Sequence, residues 1–162
     1  MSDFEERLRQ AIERGNQKGK EAGRDEALRR EELDRLRRLH TQYRLELSEQ
    51  IEKVVRSLAD YVPGFRYETV FGEGGWGAAC FRDNLRMQAG VRRTEYSRLE
   101  IAVRPFHDLA VLDLHAKGTI ANREVLVRTF FQPITEASLD PFRKAIDSWA
   151  LQYAELLSTH GG

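Results

Sequence analysis

Sixty-one consecutive residues, Ser2 to Val62, contain no proline, and apart from Gly15, Gly19 and Gly23 almost all are good helix formers. Acid-to-base pairs four residues apart recur along the stretch: Glu5/Arg9, Asp25/Arg29, Glu26/Arg30, Glu31/Arg35, Asp34/Arg38, Glu49/Lys53 and Glu52/Arg56. Each adds about a few tenths of a kcal/mol in this orientation and marks a solvated face. The dry stripe Leu36, Leu39, Tyr43, Leu47, Ile51, Val54, Leu58 and Val62 advances 26 residues in seven steps. That is about 3.7 per step, against 3.5 for a left-handed coiled coil, so this half packs on a globular surface. Pro63-Gly64 ends the helix. From Asp25 to Tyr61 it runs roughly 55 Å at 1.5 Å per residue. The hundred or so residues left make a body with a radius of gyration of about 13 Å. The helix must overhang its own domain.

The body is legible as strands. Leu99, Ile101 and Val103 alternate with Glu100, Ala102 and Arg104, a half-buried strand stopped by Pro105. Ala110, Leu112, Leu114 and Ala116 alternate with Val111, Asp113, His115 and Lys117, and a turn is expected from Gly118-Thr119 to Asn122. Val125, Val127, Thr129 and Phe131, interleaved with Glu124, Leu126, Arg128 and Phe130, complete a third strand before Pro133. Connections this short predict neighbouring antiparallel pairs. Phe65–Phe71 and Trp76–Arg82 read as two more strands around Gly72-Glu73-Gly74-Gly75. A phosphate cradle would need a helix directly after those glycines, and WGAACFR is strand-like. Asp83–Ser97 is the least regular stretch and reads as a solvated connecting loop, with Arg86, Arg92, Arg93, Arg98 and Tyr96 a weak nucleic-acid signal. A C-terminal helix starts with Asp140 at the N-cap and Pro141 at N1 and runs over 140–159. Its stripe is Phe142, Ile146, Trp149, Tyr153, Leu156 and Leu157.

The expected fold is therefore α+β: a long N-terminal helix, an antiparallel sheet of about five strands over 65–132, and a C-terminal helix beside the first on one sheet face. Residues 1–24 form a glycine-repeat helical arm and 25–162 a single domain.

Charge narrows the partners. Lysine plus arginine equal aspartate plus glutamate at 26 each, and residues 1–62 and 63–162 are separately balanced. No basic field exists to concentrate nucleic acid or anionic lipid. The acidic opening Met-Ser-Asp-Phe-Glu-Glu-Arg lacks the apolar core of a signal peptide, and Cys80 has no second cysteine to pair with. A cytoplasmic protein is expected, with no nucleic-acid or membrane partner and no cofactor.

Within the arm, Ala11, Gly15, Gly19, Gly23 and Ala27 recur every four residues. Small residues on one stripe let another backbone approach closely, while glycines costing about 1 kcal/mol each against alanine favour fraying in the monomer. Over less than a fifth of the chain, this repeat resembles the AxxxGxxxGxxxGxxxA stripe of the flagellar export ATPase regulator family. The resemblance implies a helix that associates with others of its kind.

The chemical inventory is thin. His40, His107, His115 and His160 share no ligand spacing, Cys80 reads as a core residue, and no nucleophile-elbow, Walker or dinucleotide motif occurs. Two candidate sites remain. One is a partner surface on the projecting helix, with Gly15, Gly19, Gly23, Leu28, Leu33 and Leu36, serving a protein partner or a weak homodimer. The other is the polar sheet face, with Arg104, Asp113, His115, Lys117 and Arg128, serving a small ligand or a reaction. An interaction or scaffold protein is the expected class; the alternatives are the ligand-binding or catalytic module and a chaperone-like adaptor.

Overall fold

The computed structural model describes residues 2–160. One helix, α1 (Asp3–Tyr61), leads into β1 (Arg66–Val70), β2 (Trp76–Gln88), β3 (Val91–Val103), β4 (Val111–Ile120) and β5 (Arg123–Pro133). A 3-10 turn at Ile134–Glu136 then leads to α2 (Leu139–Thr159). Ser2 caps α1 by accepting the Glu5 N–H at 3.1 Å, and the helix is continuous through its three glycines. Of the ion pairs expected at a spacing of four, Glu26–Arg30 closes at 2.9 Å, whereas Arg9 and Arg35 turn to Glu6 and Glu32 three residues away.

The five strands form one antiparallel meander in chain order. Register keeps the apolar row together: Cys80 faces Leu99, Ile101 faces Ala116, and Leu114 faces Phe130. On this side α1 lies over β1–β3 and α2 over β3–β5, with the two helices in contact. The fold is the expected α+β arrangement, both helices on one face of a five-stranded sheet. Its interior joins Leu47, Ile51 and Val55 of α1 and Phe142, Ile146 and Tyr153 of α2 to Leu99, Ile101, Leu112 and Leu114, all fully buried. Phe130 and Phe142 meet edge to face at 4.8 Å.

Three local expectations are corrected. Asp83–Ser97 is no loop: β2 and β3 continue past the sheet as a paired ribbon out to Gln88 and Val91. It closes on Ala89 (φ 53°) and Gly90 (φ 78°), both in the left-handed region that a two-residue hairpin turn requires. Gly118 is inside β4, not in a turn, because the Tyr153 ring lies where a side chain would be; a Cβ there would come within 2.8 Å of Tyr153 Cδ2. The true turn is Ala121-Asn122. Finally, α2 begins two residues earlier than expected, with Ser138 at the N-cap. Asp140 then falls in the first turn, where its charge suits the helix N-terminus.

Candidate functional site

Burial along the helix begins at the half-buried Leu33 and reaches the core at Leu36. Of residues 3–32 every one is exposed except the partly covered Glu6. Thirty residues at 1.5 Å each make a free arm of about 45 Å. The arm leaves the body beside the β3–β4 connection. There the buried His40 donates from Nε2 to the Arg104 carbonyl at 3.1 Å, and the Arg37 guanidinium lies 5.3 Å from the Phe106 ring centre.

The predicted partner residues divide along this helix. Gly15, Gly19 and Gly23 stand in open space: a Cβ built on any of them meets nothing within 4 Å. Leu28 is 63% exposed, but helical spacing turns it away from the glycine stripe. Leu36 is buried in the core, so it has no surface to offer a partner. The sequence reading passed over Phe4, Leu8 and Ile12, which are 66%, 47% and 57% exposed. At about 100° per residue, these three and the three glycines fall within one arc of roughly 120°. It is the side of the helix that further along carries Leu47, Ile51 and Val55 into the core. Their spacing of four was the available signal, hidden by the charged residues between them.

The polar sheet face is only partly assembled. Asp113, His115 and Lys117 share the uncovered face of β4, and Arg104, paired beside Asp113, joins them at the sheet end. Arg128 does not: it sits opposite Ala116 on the helix-covered side and reaches Gln152 of α2 at 3.3 Å. Its inclusion in this face is therefore corrected. His115 Nε2 lies 3.0 Å from Asp113 Oδ1 but out of hydrogen-bond alignment, so that oxygen remains without a donor. Lys117 is 3.9 Å from Glu124, and Arg98 bridges Glu68 and Glu100 at 2.6 and 3.0 Å. Cross-strand ion pairing thus engages Arg98 with Glu68 and Lys117 with Glu124 on this face. Among the described residues, no three His, Cys, Asp or Glu side chains gather as a metal site.

Cys80 is fully buried, and burial pushes its thiol up to about 12, which keeps it protonated and unreactive. A groove of about 630 Å³ runs between the C-terminal half of α1 and α2, with Val54, Leu58, Tyr61, Leu151 and Ala154 among its walls. None of the predicted site residues lines it.

No described helix is long and apolar enough to cross a membrane. Compared with protein-family models, curated proteins and solved structures, the chain matches none.

Proposed function

We propose that this is a non-enzymatic interaction or scaffold protein, in which a compact α+β body holds out a helical arm that recruits a protein partner. The observation that supports this is the row Phe4, Leu8 and Ile12, exposed on a helix that extends well beyond anything its own domain can cover. A solvated helix carrying an aligned apolar and small-residue face gains stability when that face is covered. The balanced charge of the chain favours protein over nucleic acid or lipid as the partner. A cytoplasmic setting suits a protein with a single cysteine kept buried as a thiol.

Amine cross-linking of the chain, alone and in lysate of its expressing cells, tests the assignment. Recruitment through the arm places inter-chain cross-links on Lys18 and Lys20, and a chain lacking residues 1–24 loses the association. Cross-links confined to Lys53, Lys117 and Lys144 on the body, retained in the shortened chain, count against it.

A further inference from the structure

We infer that the arm's partner is a second copy of this chain, paired antiparallel so that residue i of one arm faces residue 27 − i of the other. The inference rests on the arm being a docking element and assigns what docks there.

The register follows from two matching rows. Phe4, Leu8 and Ile12 are spaced by four, and so are Gly15, Gly19 and Gly23. Turning one arm about a two-fold axis between Glu13 and Arg14 sets Phe4 against Gly23, Leu8 against Gly19 and Ile12 against Gly15. The same contacts repeat on the other side of the axis, as an isologous interface requires. Each large side chain fills the space left by a missing Cβ, and the helix axes come close enough for packing along the whole row. Within one chain nothing demands glycine at these positions: all three are helical, and each faces open space. They weaken the helix they interrupt, a cost with no return in the monomer. A spacing of four, wider than 3.6, gives the pair a right-handed wind.

Net charge at the scale of whole segments favours this register. Residues 14–24 carry Arg14, Lys18, Lys20 and Arg24 against Glu21 alone. None of these four cations has a carboxylate within 4 Å among the described residues, whereas Arg7 and Arg9 are already paired to Asp3, Glu6 and Glu13. The segment 3–13 is net acidic, with Asp3, Glu5, Glu6 and Glu13 against Arg7 and Arg9. The proposed register lays the net acidic 3–13 along the net basic 14–24, with Asp3 opposite Arg24 and Glu13 opposite Arg14, against like charges at Glu6/Glu21, Arg7/Lys20 and Arg9/Lys18. A parallel pair in register lays basic on basic and glycine on glycine. An antiparallel pair centred on Gly19 lays the acidic 3–13 on the net acidic 25–35. Room is ample: residues 25–32 act as a spacer, and the points where the two helices dock on their bodies lie about 60 Å apart along the paired arms.

The test uses the full chain. Wild type should sediment as a concentration-dependent dimer. Gly19→Leu should raise the dissociation constant roughly tenfold or more by overfilling the contact, while circular dichroism shows helicity kept or increased. Under mild oxidation, a Leu8→Cys chain mixed with a Gly19→Cys chain should cross-link between the two kinds, and neither alone; buried Cys80 does not compete. Self-cross-linking of the Leu8→Cys chain would establish a parallel pair and overturn the register. A wild type that stays monomeric at every concentration overturns the second copy as partner yet leaves arm-mediated recruitment standing. A dimer that survives deletion of residues 1–24 overturns both.

Discussion

His40 is the buried polar side chain that joins the long helix to the β3–β4 connection. A carbonyl only accepts, so the bond to Arg104 requires hydrogen on Nε2, and the ring also meets Phe106 edge-on at 5.6 Å. Burial pushes its pKa below the ordinary imidazole value; the Arg104 carbonyl opposes the shift, and the charges of Arg44 and His107 reinforce it. The native state thus binds fewer protons than the unfolded chain just below the ordinary value. Stability is fully present above that value and is lost as pH falls toward the lowered one. The urea midpoint of the wild type should therefore drop between about pH 7.5 and about pH 5, and His40→Gln, which keeps a donor for Arg104, should drop less. Equal slopes in the two proteins would place the responsible proton on another group. Arg82 illustrates the same economy of burial: it is nearly covered, donates to the Pro63 carbonyl at 3.0 Å, and stacks 4.7 Å from the Phe65 ring centre where α1 ends.

Among elements, the β2–β3 ribbon has the least support. From Asp83 and Tyr96 outward its strands pair only with each other, and Leu85, Met87 and Val91 are exposed. What holds its base is the β4–β5 turn. Asn122 donates from its backbone N–H to the Tyr96 carbonyl at 2.8 Å, accepts the Tyr96 N–H on Oδ1 at 2.9 Å, and donates from Nδ2 to the Thr94 carbonyl at 3.0 Å. The Ser97 hydroxyl accepts the Ala121 N–H at 3.1 Å. One side chain thus supplies the hydrogen bonds that β4, ending at Ile120, no longer provides. Asn122 also occupies φ 68°, a conformation that asparagine tolerates better than most residues. Asn122→Ala removes two side-chain hydrogen bonds of about 1 kcal/mol each and adds backbone strain. Amide exchange at Tyr96 should accelerate while that at Leu112 and Leu114 in the core stays slow; uniform acceleration through the sheet would show that the clamp supports the whole fold.

Taken whole, the molecule is a body with two extensions at opposite ends. The arm leaves past Trp76 and Arg104, and the ribbon leaves past Arg82 and Arg98, projecting about 20 Å at 3.4 Å per residue. The buried side chains of α1 start at Leu36, so residues 2–24 contribute nothing to the core. Deleting them should leave the thermal midpoint within about 4 °C of the full chain. A shortened chain unfolded by circular dichroism would mean that the arm is part of the domain's stability. Set beside the cross-linking experiment, this deletion separates the arm's proposed role in association from any role in folding.

What could be read without the structure was whatever depends on neighbours a few residues apart. Helical and strand periodicities are properties of local side-chain direction, so the long helix, the meander, and the split of Leu99, Ile101 and Val103 from Glu100 and Arg104 all followed from spacing. The rest depends on distant partners. In β5 both alternating rows mix apolar and polar residues, and only pairing with β4 sends Leu126, Arg128 and Phe130 inward. The ribbon has solvent on both sides, so burial wrote no amphipathic pattern into Asp83–Ser97, and an Ala-Gly turn lacks the usual asparagine or aspartate signal. Leu33, Leu36, Phe4 and Leu8 look alike as apolar residues on a helix. Where the body ends along α1 makes Leu36 core and leaves Phe4 and Leu8 in water, and that boundary is set by the packing of residues sixty or more positions away, beyond the reach of local pattern.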